Sequence, residues 1–242
     1  MKQTALITGA SRRVGKAVAE HLSGKGWNIA VHFNSSEQPA EDLVIGLAAK
    51  YPQQKFQAFK ANLSNIYEVI KLIPKVLETF GGIHLLINNA SVFGPGYLKS
   101  TTPELFDEQL NVNLKAPFFL IRDFANLCKT GNIINFVDTR VTSNKSDFAA
   151  YSLSKKGLWD ITQMAALELA PNIRVNAIAP GVTLAPENKD ENYLLNMAQN
   201  IPMKKPGGID PILRSVDFIL ENNHLTGQLI FADGGENLGR NA

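Results

Sequence analysis

The chain has 242 residues, of which 45% are hydrophobic and 19% charged, a balance typical of a soluble globular protein with a sizeable core. A net charge of +2 without a run of lysines and arginines argues against a nucleic-acid partner, and no apolar stretch approaches the roughly 18 residues that cross a membrane. The one cysteine, Cys128, excludes an internal disulfide, and with no signal-peptide pattern at the N-terminus it indicates a cytoplasmic location.

Apolar strand-like runs alternate with helical patterns along the chain. The strand candidates are TALIT (4–8), NIAVHF (28–33), KFQAFKA (55–61), HLLINN (84–89), NIINFV (132–137), IRVNAIA (173–179) and QLIFAD (228–233). Between them lie segments of helical period, such as 14–26 and 66–82. Several strands are almost continuously apolar, as in parallel sheets covered on both faces. The order predicts an α/β fold, a single-domain Rossmann-type doubly wound parallel sheet of about seven strands with helices on both faces.

No linker rich in proline, glycine or serine divides the chain, so residues 1–242 are predicted to form one domain. The longest stretch without a repeated pattern is 180–208. Loops of this length are often lids or binding loops. We therefore expect a substrate-side loop or lid there.

The motif TGASRRVG (8–15) follows the first predicted strand and opens the first helix. Gly9 and Gly15 suit a tight turn and close helix packing, and the free N–H groups of the helix suit a pyrophosphate. Arg13 stands where such a loop usually has a second glycine. The same strand–turn–helix also occurs as plain structure, so the motif alone is a weak indicator of a nucleotide site.

The turn after the second predicted strand carries no carboxylate. An acidic side chain there would bind the adenosine ribose 2′-hydroxyl and select NAD. His32, Asn34, Ser35 and Ser36 instead offer neutral donors, which suit a 2′-phosphate. The turn therefore favours NADPH; the alternative is that Asn-Ser-Ser forms a plain polar turn.

Tyr151 and Lys155 lie four residues apart in YSLSK, on the helix predicted after the fifth strand. This spacing places both side chains on one helical face. A lysine ammonium near a tyrosine hydroxyl stabilises the phenolate and lowers the tyrosine pKa towards the working range of a general acid. By itself the pattern Tyr-x-x-x-Lys is common and structural in most proteins.

The combination of motifs is more specific. TG at 8–9, NNA at 88–90, Asn113 in NVNLKAPF, Tyr151 with Lys155, APG at 179–181 and FADGG at 231–235 occur in that order. Together they closely resemble the short-chain dehydrogenase/reductase family over nearly the whole chain. The resemblance implies that Tyr151 donates a proton, that Lys155 also holds the nicotinamide ribose, and that Asn113 supports a water-linked proton relay. It also implies a homotetramer built on the long helices, including the one that carries Tyr151.

The same resemblance implies a cofactor site made of the glycine loop, the strand ends and the catalytic helix. Its predicted members are Gly9, Ser11, Arg13, Val14, Gly15, His32, Asn34, Ser35, Ser36, Asn62, Leu63, Asn89, Ala90, Ser91, Tyr151, Lys155, Pro180, Gly181 and Thr183. Asn62 departs from the acidic residue that the family usually places near the adenine amino group. Its amide oxygen still accepts a hydrogen bond.

Two further departures match one branch of the family. Counting back thirteen residues from Tyr151, where the family has a catalytic serine, gives Asp138. With Arg13, and with Ser91 and Phe93 following NNA, the sequence is similar to the pteridine reductases and bacterial dihydromonapterin reductases. APGVTLAP also resembles their substrate-side loop, and HFNSS their NADPH-selective turn. The predicted catalytic residues are thus Asp138, Tyr151, Lys155 and Asn113, and the predicted substrate contacts are Arg13, Ser91, Phe93, Asp138, Tyr151 and Leu184.

The chemistry of a pterin suits these substitutions. Phe93 can stack on one face of the flat ring while the nicotinamide covers the other. Arg13 can span the cofactor pyrophosphate and the polar edge of the pterin, because its planar fork suits two partners. Asp138 beside Tyr151 can pass a proton to a ring nitrogen. The alternatives are that Arg13 only clamps phosphate, that Phe93 is a core residue and that Asp138 is a structural cap.

The leading hypothesis is an NADPH-dependent reductase of dihydropterins, such as dihydromonapterin, dihydrobiopterin or dihydrofolate, giving the tetrahydro form. The second is a carbonyl reductase of a 3-oxoacyl thioester or small ketone, and the third is a non-catalytic NADPH sensor. The four histidines have no metal-ligand spacing, and no metal is expected. The sequence leaves open which C6 side chain the pterin carries and whether the role is biosynthesis or salvage.

Overall fold

Seven parallel strands form one sheet in the computed structural model, which describes residues 2–144, 146–185 and 191–239. The strands are β1 (Thr4–Ile7), β2 (Asn28–Phe33), β3 (Phe56–Lys60), β4 (Leu85–Asn88), β5 (Gly131–Phe136), β6 (Ile173–Pro180) and β7 (Leu229–Ala232). Their order is β3-β2-β1-β4-β5-β6-β7, so the direction of winding changes between β1 and β4. The predicted α/β, doubly wound parallel sheet of seven strands is confirmed.

Helices cover both faces of the sheet. They are α1 (Arg13–Gly24), α2 (Glu37–Lys50), α3 (Ile66–Phe80), α4 (Pro103–Leu110), α5 (Ala116–Cys128), α6 (Ala149–Leu169), α7 (Glu191–Ala198) and α8 (Asp210–Glu221). A π-helical segment, Asn111–Lys115, joins α4 to α5, and 3-10 turns occupy Thr139–Thr142 and Glu236–Leu238. None of the described helices is both long and apolar enough to cross a membrane.

The strands are buried on both faces, which explains their continuous apolar sequences. Ala5 and Ile7 of β1 pack with α1, α2 and α8, whereas Leu6 between them packs with α3, α5 and α6. All three side chains are fully buried. This alternation follows from the two-residue period of a strand.

The stretch 180–208 contains regular structure among its described residues. Pro180 ends β6 and α7 occupies Glu191–Ala198, and the role of the stretch as a substrate-side loop or lid stays a prediction. Residues 186–190 lie outside the described residues. The parallel direction of the strands brings the carboxyl ends of β1, β2, β4, β5 and β6 to one edge, where ligands bind in doubly wound folds.

Candidate active site

Two adjoining cavities lie at the carboxyl edge of the sheet. A groove of about 400 Å³ runs past the β1–α1 loop, the turn after β2 and the residues after β3 and β4. A pocket of about 310 Å³ lies beside it. The pocket is lined by residues from the glycine loop, β5, α6 and the end of β6, including Asp138, Tyr151 and Lys155. Arg13, Val14, Asn89 and Ser91 line both cavities.

The glycine loop is fastened to the turn after β4. Gly9 has φ +63°, and a Cβ added to Gly15 would lie 2.3 Å from the Gly9 carbonyl oxygen. The Asn89 amide donates to the carbonyl oxygens of Thr8 and Gly9 at 2.8 and 3.1 Å. The backbone N–H groups of Asn89 and Ala90 donate to Thr8 Oγ1, each at 3.0 Å. The two motifs thus form one rigid wall of the groove.

Arg13 has a backbone conformation that favours glycine. Its φ is +52°, in the left-handed region, which costs a residue with a Cβ about 1–2 kcal/mol. Its guanidinium donates to the carbonyl oxygens of Leu184 and Ala185 at 3.0 and 2.6 Å. Arg13 therefore links the glycine loop to the segment after β6, and the loop keeps the backbone shape of the replaced glycine.

His32 lies within β2 and not in the turn after it, contrary to the sequence interpretation. It is 1% exposed. Its Nδ1 accepts the Gly9 N–H at 3.1 Å, and its Nε2 donates to the Ala61 carbonyl oxygen at 3.0 Å. Burial lowers the pKa of the ring to about 4, so it is neutral at pH 7. The prediction of a donor to a 2′-phosphate is wrong because both ring nitrogens are already engaged with the backbone.

His32 and the other predicted residues of the turn all border the groove. Asn34 and Ser35 are exposed and Ser36 is half-buried. Arg12 also lines the groove, and the sequence interpretation did not include it. Its position beside Arg13, at the start of α1, could have predicted that Arg12 lines the groove.

Asn62 and Leu63 line the groove after β3. The Asn62 amide oxygen accepts the Ser64 N–H at 2.9 Å, and the Asn62 N–H donates to the Glu68 carboxylate at 2.8 Å. The side chain of Asn62 therefore shapes this turn. One lone pair of its amide oxygen is left for a further donor.

Asp138 and Tyr151 form a direct pair in the pocket. The Tyr151 hydroxyl donates to Asp138 Oδ2 at 2.7 Å. The other carboxylate oxygen accepts the Arg140 N–H at 2.9 Å, which caps the 3-10 turn and holds the carboxylate in place. Asp138 is thus both a cap and a partner of Tyr151, so the two readings of this residue are compatible.

The pKa values run against the sequence expectation for Tyr151. Burial, then the negative charge of Asp138 and its hydrogen bond, hold the pKa of Tyr151 well above its ordinary value. Lys155 Nζ donates to the Phe136 carbonyl oxygen at 2.8 Å, and burial lowers the pKa of Lys155 to about 8. The expectation that Lys155 lowers the Tyr151 pKa is wrong in this structure, because burial and then the Asp138 carboxylate raise it. Tyr151 stays a protonated hydroxyl at neutral pH.

Asn113 lies in the π-helical segment and is fully buried. Its amide oxygen accepts the Ser91 hydroxyl at 3.1 Å and the Val92 N–H at 2.9 Å. Its amide nitrogen donates to the Val92 carbonyl oxygen and to Ser154 Oγ. The side chain braces the segment after NNA, and its part in a proton relay stays a prediction.

Phe93 stands at the mouth of the pocket and is 57% exposed, so it is not a core residue. Its ring meets Tyr151 edge-on, with centroids 4.7 Å apart. It also stacks on Phe148 at 4.2 Å with an interplanar angle of 16°. The sequence interpretation missed Phe148, whose place depends on the loop before α6.

The segment after β6 closes the pocket. Pro180, Gly181, Thr183 and Leu184 line it. Gly181 packs so closely on the residues after β7 that an added Cβ would lie 2.5 Å from Asp233 Cα. All of the residues predicted to contact the substrate line this one pocket.

Two further observations concern metal binding and the one cysteine. Among the described residues, no group of three or more His, Cys, Asp or Glu side chains is placed to hold a metal ion. Cys128 ends α5, and burial raises the pKa of its thiol to about 11.

Known proteins similar to the chain include two reductases of different substrates and a blue fluorescent protein. A model of the short chain dehydrogenases matches residues 3–193. The 3-oxoacyl-[acyl-carrier-protein] reductase FabG of Staphylococcus epidermidis is 32% identical, covering 97% of this chain and 99% of its own. FolM alternative dihydrofolate reductase 1 from Brucella canis, crystallised with NADP, is 33% identical with a TM-score of 0.92, covering 99% of this chain and 96% of that one. A blue fluorescent protein from a metagenomic library, crystallised with NADPH, is 25% identical with a TM-score of 0.88, covering 96% and 97%.

Proposed function

The chain belongs to the short-chain dehydrogenase family, and on that premise we propose that it is an NADPH-dependent reductase of dihydropterins such as dihydromonapterin, dihydrobiopterin or dihydrofolate. The observation that carries this proposal is the 2.7 Å hydrogen bond from Tyr151 to Asp138, at the position where the family has serine. The likeness to FolM alternative dihydrofolate reductase 1 supports the same substrate class.

The groove fits a phosphorylated dinucleotide. Gly9 and Gly15 carry no side chain that would obstruct the wall, and α1 begins there with free N–H groups for a pyrophosphate. Arg12, Asn34 and Ser35 at the far end offer donors, and none of the groove residues in that turn is acidic. Two structural relatives were crystallised with NADP or NADPH in their own sites. NADPH held by these groove residues would supply the hydride that reduces the substrate.

The protein's own residues manage the proton. Tyr151 presents its hydroxyl in the pocket and keeps it protonated, because the pKa is held high by burial and Asp138. The hydroxyl proton passes to a ring nitrogen of the C=N group that receives the hydride. Asp138 orients the hydroxyl and stabilises the proton on Tyr151 between turnovers. Lys155, beneath Tyr151, holds the nicotinamide ribose in this proposal.

The mouth of the pocket suits a flat, polar-edged ring. Phe93 offers an aromatic face. Ser91 and Arg13 supply donors on either side, and Leu184 supplies an apolar edge. In this proposal Arg13 redirects part of its guanidinium from the carbonyl oxygens of Leu184 and Ala185 to the cofactor and substrate.

The reductase assay tests this function directly. Purified protein is mixed with NADPH and 7,8-dihydromonapterin, and in parallel with dihydrobiopterin, dihydrofolate and an acetoacetyl thioester, and absorbance is followed at the NADPH band. We expect oxidation with at least one dihydropterin and none with the thioester. Oxidation with the thioester alone would contradict the proposal.

A carbonyl reductase is the second candidate, because the chain is 32% identical to FabG of S. epidermidis. The variant Asp138→Ser separates the two. For a carbonyl reductase, restoring the serine should raise reduction of the ketone. A variant that loses dihydropterin reduction about 100-fold and stays inert to ketones supports the pterin assignment.

A homotetramer assembled through the long helices is also part of this proposal. Apolar side chains lie on the outer faces of α5 and α6, where Phe118, Leu127, Leu153, Met164 and Leu167 are 49%, 50%, 51%, 65% and 85% exposed in the single chain. Exposed apolar groups of this extent suit a subunit interface. Sedimentation of the purified protein tests the assembly.

A further inference from the structure

Three aromatic rings form a continuous row at the mouth of the pocket. Phe148 stacks on Phe93 at 4.2 Å, and Phe93 meets Tyr151 edge-on at 4.7 Å. Phe148 thus covers one face of Phe93, and 57% of Phe93 remains exposed. A ring held from behind loses less conformational freedom when a second ring stacks on it.

Phe148 is held in an uncommon backbone conformation. It lies directly before α6 with φ +55° and ψ +45°, a left-handed geometry that a bulky residue rarely adopts. Surrounding contacts must therefore maintain it. The Ser152 N–H donates to the Phe148 carbonyl oxygen at 2.8 Å, which secures the helix start but not the ring.

The ring is secured by Arg140. The Arg140 guanidinium lies over the Phe148 ring, 5.0 Å from its centroid. The same guanidinium donates to both carboxylate oxygens of Asp147 at 3.0 and 2.9 Å, and to the Asp147 carbonyl oxygen at 3.1 Å. The Arg140 side chain is 19% exposed, so this ion pair is partly shielded from water. A bidentate pair of this kind fixes geometry as well as charge.

Arg140 is also tied to the other side of the pocket. Its backbone N–H donates to Asp138 Oδ1, while Asp138 Oδ2 accepts from Tyr151. Arg140 therefore connects the loop that carries Phe148 to the Asp138 carboxylate, which accepts the hydrogen bond of Tyr151. Neither Arg140 nor Asp147 lines the pocket.

We propose that Arg140 and Asp147 are positioning residues: their ion pair holds Phe148 behind Phe93 and thereby sets the affinity of the pocket for a flat aromatic substrate. This inference rests on the proposed function, in which Phe93 stacks on the pterin. The pair acts through Phe148 and touches neither substrate nor cofactor.

Steady-state kinetics of Arg140→Met and Phe148→Leu test the proposal. Each variant should raise the KM for the dihydropterin about tenfold, the worth of one aromatic stack, with the NADPH dissociation constant within about twofold of the parent value. In Phe148→Leu kcat should also stay within about twofold, whereas Arg140→Met additionally removes a positive charge that lowers the Tyr151 pKa. Because both act through one ring, the double variant should be no worse than the poorer single variant. Effects that multiply would overturn the proposal, as would an unchanged KM.

The variant Arg140→Lys is the matched control. It keeps a cation near Asp147 but loses the bidentate fork. Its KM should stay close to that of Arg140→Met, because the fork and not the charge alone fixes the ring. A KM restored to the parent value, in a protein with the parent melting temperature, would contradict a role for the bidentate ion pair.

A substrate-free measurement separates this proposal from the proposed function. 4-Fluorophenylalanine placed at position 93 should give a ¹⁹F resonance shifted by the ring of Phe148, and Arg140→Met should move that resonance towards the free amino acid. The same label at the exposed Phe218 should not respond. If the parent protein oxidises no NADPH with dihydropterins, the proposed function fails, and the resonance still decides whether Arg140 holds the rings. An unmoved resonance at position 93 overturns the positioning role.

Discussion

The cofactor groove and the catalytic pocket share one wall but are built differently. The groove is formed mainly by backbone and polar side chains at strand ends, with Arg12 and Arg13 beside them, and the glycine loop and NNA are joined by hydrogen bonds. The pocket is formed by ionisable and aromatic side chains from the glycine loop, β5, α6 and β6. The first depends on backbone shape, and the second on the placement of a few side chains.

Because of this difference, the groove and the pocket respond differently to substitutions that change charge. A change of charge in the pocket alters the pKa of Tyr151, because the groups there are buried and close together. A change of charge at the exposed end of the groove alters cofactor choice and leaves the proton donor intact. Variants can therefore be chosen to affect one region at a time.

Tyr151→Phe tests whether the pocket can be altered without the groove, and it has the largest expected effect. Loss of the hydroxyl removes the proton donor, so kcat for dihydropterin reduction should fall by about 10²–10⁴. NADPH affinity, measured by fluorescence titration, should stay within about twofold. Near-normal turnover would remove Tyr151 from the acid role, and a large loss of NADPH affinity would show that the two regions are not separable.

The backbone of the groove depends on His32, and pH tests this dependence. The pKa of the ring is about 4 in the folded chain and about 6.5 when unfolded, so the unfolded chain binds more protons between these values. The His32 contribution to stability should be fully present above pH 6.5 and fall by roughly 3 kcal/mol as pH drops towards 4. Chemical denaturation across this range measures the slope.

The matched variants are His32→Gln and His224→Gln. The first should make the slope shallower by about one proton. The second should leave it unchanged, because His224 is exposed. Equal slopes in the parent and His32→Gln would contradict the assignment of a buried neutral ring.

Ser35→Asp tests the exposed end of the groove. A carboxylate there repels a 2′-phosphate, so the ratio of kcat/KM for NADPH to that for NADH should fall at least about tenfold. kcat at saturating cofactor should be unchanged. Ser100→Asp, at an exposed position away from both cavities, is the control and should leave the ratio as it was.

Arg13 lines both the groove and the pocket. Two variants of Arg13 should differ in their free energy of unfolding, and this is the smallest of the expected effects. Arg13→Ala removes the guanidinium but keeps a Cβ at φ +52°, whereas Arg13→Gly removes both. The glycine variant should therefore be more stable than the alanine variant by about 1 kcal/mol in denaturant unfolding. Both should raise the KM for substrate equally, and a stability difference near zero would contradict the strain at this position.

Much of the fold could be predicted because the strand signals are local. Runs such as TALIT and NIAVHF are mostly apolar although the buried Thr4, Thr8 and His32 interrupt them, and the glycine loop follows from its own residues. The association of Asp138 with Tyr151 was accessible from their spacing and the resemblance. Their direct hydrogen bond fits that expectation.

The rest depends on three-dimensional contacts that sequence spacing does not encode. The sequence interpretation counts His32 among the donors of the turn although His32 lies inside the predicted strand NIAVHF, and its burial follows from packing under the glycine loop. The Tyr151 pKa depends first on burial and then on the nearby Asp138 charge, neither of which a helical period predicts. Phe148 reaches Phe93 only through a left-handed residue.

Cys128 has a practical consequence for following this protein in solution. With a thiol pKa of about 11, about one molecule in ten thousand carries the reactive thiolate at pH 7. The chain therefore behaves towards maleimide dyes almost as if it had no cysteine. A single cysteine introduced at the exposed Asn196 on α7 would take up one fluorophore, with every native residue near the cavities kept.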